Sequence, residues 1–172
     1  MKVQRMVPMS HELAFAIRSY EPADEDAVVE LSLRAWAPVF ASMESILGRE
    51  LSDRLHGDWR TYQEKGVREA LARPEMTVWV AEASAVIGFV AAWIADPARR
   101  IGEIFMLAVD PASQLRGMGT ALTKHATEWL RGAGMRVAMI STGGDPGHAP
   151  ARRVYEKADY TLLPAAGYYK AL

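Results

Sequence analysis

The stretch from Glu103 to Thr142 constrains this chain more than any other. Glu103 to Val109 (EIFMLAV) is an apolar run of strand type that Asp110-Pro111 ends. Gln114-Leu115-Arg116-Gly117-Met118-Gly119 then leads straight into a helix from Met118 to Arg131. There Met118, Leu122, Ala126, Trp129 and Leu130 form one apolar stripe opposite Lys124, Thr127, Glu128 and Arg131. Val137 to Thr142 reads as a second strand. Strand, helix and strand in this order make a crossover, which places the chain among α/β or α+β domains.

Backbone N–H groups at a helix start are unpaired and sit at the positive end of the helix dipole, so they suit a phosphate. Glycines at 117 and 119 would let the main chain approach it without Cβ clashes. A P-loop would need Gly-Lys-Ser or Gly-Lys-Thr at the helix start, and none occurs. A Rossmann fingerprint would need a third glycine where Leu122 stands. What is left is a Q/R-x-x-G-x-G/A pattern, a third kind of phosphate-binding loop at a helix start.

The flanking sequence fits one continuous domain over 13–172, with residues 1–12 as a loose arm. Leu13 to Arg18 suits a strand, and Asp24 is placed to cap a helix carrying Glu25 and Asp26 in its first turn. Val28, Leu31 and Ala35 mark its apolar face, and Pro38 predicts a break. A second helical stretch runs from about Glu50 to Ala72, interrupted at Gly57. Thr77 to Glu82 and Val86 to Ile94 read as a hairpin, the second run apolar enough for burial on both faces. Pro150 to Ala158 reads as a short helix, and Tyr160 to Leu163 and Tyr168 to Ala171 as closing strands.

At 172 residues the chain is long enough to bury a full core without staples. It has no cysteine, which excludes a thiol nucleophile and a Cys-based metal site; no metal is expected. Its net charge of −1 argues against a nucleic-acid or membrane-surface binder. Residues 21–58 nevertheless carry nine acids against three bases, and residues 99–172 ten bases against six acids. An acidic front and a basic back could serve a cationic substrate and an anionic cofactor; solvated helix faces are the plainer reading. No run reaches the roughly 18 to 20 apolar residues of a membrane span, and nothing reads as a signal peptide, so the expectation is a cytoplasmic protein.

With Ala151-Arg-Arg-Val-Tyr155-Glu-Lys-Ala-Asp-Tyr160 downstream, the chain resembles the Gcn5-related N-acetyltransferase (GNAT) superfamily over nearly its whole length. The resemblance implies a single mixed central sheet flanked by helices on both faces. It further implies transfer of an acetyl group from acetyl-CoA directly to a primary amine of a small molecule, with a homodimer in keeping with the family. Two strands splay in that fold and pantetheine lies between them. Leu107, Ala108 and Val109 would then pair with pantetheine, and Gln114, Leu115, Arg116, Gly117, Met118, Gly119 and Thr120 would form the pyrophosphate loop. Tyr155 falls on the family tyrosine that can protonate the leaving thiolate. His148 stands where the family has Asn, a position that contacts cofactor, and Asp159 where it has Gly.

The histone acetyltransferase branch of the resembled family carries its catalytic Glu five residues before the position of Ala108, at the start of the cofactor-facing strand, so the resemblance implies Glu103 as the general base, acting directly or through a water. Trp36, Phe40, Trp59 and Tyr62 lie where the family shapes its acceptor pocket, though aromatic residues at helical spacing equally make core. His125 lies on the apolar stripe and reads as a packed histidine. Two alternatives stay open: a non-catalytic acyl-CoA-binding or sensing module of the same fold, and an acetyltransferase of protein or peptide amino groups.

Overall fold

The computed structural model describes residues 15–114 and 117–172, so the arm, Leu13 and Ala14 lie outside it. Five strands, β1 (Ala16–Ser19), β2 (Thr77–Glu82), β3 (Val86–Asp96), β4 (Ile101–Val109) and β5 (Val137–Ile140), form one sheet in chain order. Every neighbouring pair is antiparallel except β4 and β5, which are parallel and joined through helix α4 (Met118–Gly132). The other helices are α1 (Glu25–Leu47), α2 (Arg49–His56), α3 (Trp59–Leu71) and α5 (Ala149–Lys157).

Strand alternation splits the core into two layers. Val78, Val80, Phe89, Ala91 and Ala108 face Val28, Leu31 and Val67 of α1 and α3. Trp79, Ala81, Val90, Ala92 and Ile104 face Met118, Leu122, Ala126 and Leu130 of α4. With helices on both faces, β3 is buried from Gly88 to Ala92, where neither side meets water and every residue is apolar or glycine. Gly102 is the contact point of β4 with α4: a Cβ there would lie 2.2 Å from Leu130 Cδ2. His125 packs edge-on against Trp79, with ring centroids 5.1 Å apart.

Four local expectations change. Helix α1 runs unbroken through Pro38. The proline forfeits one backbone hydrogen bond, but Val39 and Phe40 beyond it are buried, so the apolar face continues and tertiary burial outweighs the loss. No strand follows Lys157 among the described residues, and β5 ends at Ile140 rather than Thr142. Pro164 and Gly167 interrupt the terminal run, and Leu162, Leu163, Tyr168 and Tyr169 are exposed, so no buried face holds them in a ladder. Gly57 does interrupt the second helical stretch, at φ 59° between α2 and α3.

Asp24 does not cap α1 with its side chain; it is drawn back to β1. Its carboxylate accepts from Arg18 Nη1 and Nη2 at 2.7 and 2.8 Å and from the Glu21 N–H at 2.9 Å. Arg18 also donates to Glu82 on β2 at 2.9 and 3.1 Å, so one guanidinium ties the first helix to two strands. The Arg18 bonds hold the Asp24 carboxyl below the usual range, against the opposing effect of burial. A depressed folded pKa gives stability present above the unfolded value of about 3.9 and lost as pH falls through the folded one. Asp24→Asn is therefore expected to cost about 1–3 kcal/mol at pH 7. In thermal melts from pH 7 down to pH 2 the gap to wild type should close in acid, and a pH-independent gap would contradict this assignment.

Candidate active site

The parallel ladder between β4 and β5 has four rungs, Ile101↔Val137 to Ile104↔Ile140, and then stops. On the other edge of β4, Ala92 pairs with Ile104 and Ala91 with Met106, leaving Phe105 as an extra residue. Such a bulge bends and twists the strand that carries it. From Phe105 to Val109 the edge of β4 toward β5 has no strand partner. A cavity of about 500 Å³ opens there, bordered by Ile104–Val109 on one side and Ile140, Ser141 and Thr142 on the other.

The start of α4 closes one end of this cavity. Gly117 is the N-cap residue at φ 77°, a left-handed conformation that glycine adopts without strain. The first intrahelical bond is Ala121 N–H to Gly117 C=O at 2.9 Å, so the N–H groups of Met118, Gly119 and Thr120 lack helical partners. All three residues line the cavity, as do Gln114 and Gly117. Leu115 and Arg116 lie outside the described residues. The two glycines have reasons of their own: a Cβ on Gly119 would meet Val154 Cγ2 at 3.1 Å, so it lets α4 pack on α5, whereas Gly117 is required by its φ. Asp110 anchors the loop before the helix, accepting from Arg34 of α1 at 2.7 and 3.0 Å and from Ala112 N–H at 2.9 Å. Burial alone would raise the Asp110 carboxyl; these bonds keep it below its ordinary value. The side-chain amide of Gln114 donates to the Val109 carbonyl at 3.2 Å.

Helix α5 forms another wall, with Arg153, Val154, Tyr155 and Lys157 on the cavity. Burial pushes the Tyr155 phenol up to about 12, so it holds its proton throughout the neutral range. Asp159 ends the helix at φ 65°, the left-handed position for which glycine is the usual residue. His148 also lines the cavity, just before α5, and its Nδ1 is hydrogen-bonded to the Asp145 carboxylate. Asp145 is fixed in turn by the Gly147 N–H at 2.9 Å, which Ser42 Oγ of α1 also accepts at 3.0 Å, and the Arg152 guanidinium donates to the Asp145 carbonyl at 2.9 Å. Burial opposes ionisation of Asp145, but the Ser42 and His148 bonds hold it below the usual carboxylate range.

Glu103 stands apart from these groups. It is not among the described residues lining the cavity, and its Oε2 accepts the Trp93 indole N–H at 2.8 Å, facing across to β3. The aromatic residues also divide. Trp36 lines the cavity, but Phe40, Trp59 and Tyr62 do not. Phe40 stacks on Trp59 at 4.9 Å, and His56 and Tyr62 meet it edge-on at 5.3 and 6.3 Å, a cluster joining α1, α2 and α3. Sequence reasoning missed Asp145, Arg153, Lys157 and Gln63 on α3. For Asp145 a signal was present, since Asp-Pro-Gly-His is a turn that returns an Asp side chain toward the third residue on.

The fold is shared by several solved structures. The aminoglycoside N-acetyltransferase AAC(6′)-Iy in complex with CoA superposes with a TM-score of 0.64 at 16% identity, covering 96% of this chain and 99% of that one. The PaiA N-acetyltransferase of Thermoplasma acidophilum in complex with coenzyme A gives 0.65 at 16% identity, over 90% and 94%. The aminoglycoside 6′-N-acetyltransferase AAC(6′)-Ig of Acinetobacter haemolyticus gives 0.63 at 13%, over 91% and 98%. No curated protein sequence matches. The sequence model of the acetyltransferase (GNAT) family matches residues 40–160, and with its motifs placed on the bulged strand and the start of α4 the chain belongs to that family.

Proposed function

We propose that the chain transfers an acetyl group from acetyl-CoA to a primary amine of a small molecule. One observation carries this reading. The free edge of β4 and the unpaired N–H groups opening α4 border one cavity, which also holds a protonated tyrosine and a carboxylate-bound histidine. Two relatives of the same fold were solved with CoA, which supports it as the donor.

In this reading the β4 edge at Leu107, Ala108 and Val109 pairs with the pantetheine amides, and the N–H groups of Met118, Gly119 and Thr120 receive the pyrophosphate. Arg153 and Lys157 add positive charge on the same wall, and the cavity suits an anionic donor without a metal. The amine nitrogen attacks the thioester carbon, the new C–N bond forms as the C–S bond breaks, and the amine gives up a proton while the sulfur takes one.

Deprotonating the acceptor is the first obstacle. An alkylamine with a pKa of about 10.4 is neutral in roughly one molecule in 2,500 at pH 7, about 4.6 kcal/mol of barrier. His148 is the base we assign. With Nδ1 bound to Asp145, its Nε2 is the ring atom left to take a proton. Glu103 is the competing assignment, and because it is not among the described residues lining the cavity it would act through water. Tyr155 donates a hydrogen bond to the developing thiolate. The burial that pushes the phenol up to about 12 would raise a thiolate in the same cavity as well, so the phenol keeps its proton until charge develops on the sulfur. Its contribution is charge stabilisation, with the net proton supplied from the amine.

Thiol release from acetyl-CoA with an amine panel measures these roles. Tyr155→Phe is expected to lower kcat roughly 10- to 100-fold with acetyl-CoA affinity within about twofold of wild type; unchanged turnover would remove the tyrosine from the mechanism. His148→Ala is expected to lower kcat about 100-fold, and Glu103→Gln by less than about twofold. The reverse ranking would return the base to Glu103. Acetyl-CoA binding without turnover on any amine would favour a sensing module instead.

A further inference from the structure

Residues 160–163 and 168–171 have strand-type sequence, yet among the described residues neither segment pairs with anything in its own chain. Their side chains stand in water. Leu163 is 87% and Tyr168 94% exposed, and Leu162, Tyr169 and Leu172 are exposed with them. Single exposed apolar residues are ordinary, but five within eleven positions mark an interaction surface. No residue from 160 to 172 has the positive φ on which the commonest two-residue hairpin turns depend, so the segment runs on instead of folding back on itself.

The complementary surface lies at β5. It is the last strand of the sheet, so its outer edge carries N–H and C=O groups without a ladder partner. Ala138 and Ile140 pack against the core, but Val137 and Met139 on the opposite face are 52% and 41% exposed. Beside that edge runs a groove of about 630 Å³, lined by Ala138, by Lys124, Thr127 and Arg131 of α4, and by Tyr160 and Thr161. Tyr160 is pinned there, its hydroxyl bonded to Thr127 Oγ1 at 2.7 Å. The groove therefore lies between an open strand edge and the first of the two unpaired segments.

We propose that the chain forms a two-fold dimer in which residues 168–171 of each copy enter the other copy's groove as a strand, between the outer edge of β5 and residues 160–163. Main-chain hydrogen bonds complete the β5 edge, and Tyr168 and Tyr169, on opposite faces of the inserted strand, cover apolar surface on both sides of the sheet. An unrelated protein offering a strand would fill the groove but leave the tail's own apolar side chains in water. A second copy satisfies both, because one chain carries the edge and the strand, and a reciprocal exchange closes on itself. The four tyrosines of such an exchange bury roughly 600–1,000 Å². With the leucines beside them and the surface they cover, the contact reaches the roughly 1,200–2,000 Å² of a stable interface. Ile140 of β5 also lines the active-site cavity, so the inserted strand braces that wall from outside.

Sedimentation velocity at micromolar concentration is expected to give twice the 19.0 kDa mass of the chain. Tyr169→Pro takes an N–H out of the inserted strand and is expected to halve the observed mass while the helical far-UV circular dichroism is retained. A second variant reads the mode of contact without relying on proline. Because the chain has no cysteine, Met139→Cys combined with Tyr168→Cys introduces its only two thiols. A short bismaleimide is expected to join position 139 of one chain to position 168 of the other, giving a covalent dimer on a denaturing gel with the linked peptides identified by mass spectrometry. A monomeric wild type, a dimer mass unchanged by Tyr169→Pro, a link formed within one chain, or no link between 139 and 168 would each overturn the proposal.

Discussion

β4 and β5 share only four rungs, and the bulge at Phe105 on the opposite edge of β4 bends the strand just where that sharing ends. A parallel pair with helices on both faces would ordinarily zip along its length, because each unpaired backbone group that is buried costs free energy. Here the chain leaves the edge of β4 open for five residues and walls the gap with helix ends instead of a strand. The crossover helix then starts at the mouth of the gap, so unpaired N–H groups on α4 and the unpaired edge of β4 face the same volume. In the proposed function both deficits are met by a ligand that is extended and amide-bearing at one end and anionic at the other.

The remaining structure holds that gap in shape. Arg34 ties α1 to Asp110 at the end of β4, Gly119 brings α5 against α4 through Val154, and Ser42 of α1 fixes the Asp145 turn that orients His148. Each contact joins an element on one side of the cavity to an element on another. Arg18 does the same at the sheet's far edge, where Asp24 and Glu82 share its guanidinium.

What the sequence made legible was mostly local. The strand before the loop, the glycine-bearing turn, the amphipathic α4 and the hairpin each follow from short-range periodicity and turn chemistry. Tyr155 and the left-handed position of Asp159 follow from helix register. Errors came where distant residues decide. Pro38 reads as a break because the burial of Val39 and Phe40 is not written in its immediate neighbours. Nothing near Glu103 in the sequence shows that β3 brings the Trp93 indole N–H to its carboxylate. The period of 3.6 placed Trp36, Phe40, Trp59 and Tyr62 on helices, yet it could not say that only Trp36 turns toward the cavity. The charge asymmetry is real, but six of the nine acids lie in ion pairs or a helix cap, and none of the nine is among the described residues lining the cavity.

The central claim is that acetyl-CoA completes the open edge of β4 and the start of α4 together. Amide hydrogen exchange with and without acetyl-CoA tests it most directly, since it reads both elements in one experiment. The expected result is slowed exchange in Leu107–Val109 and in Met118–Thr120, with β1 and β2 unchanged. Protection confined to one of the two elements, or centred on the hairpin strands, would contradict the account.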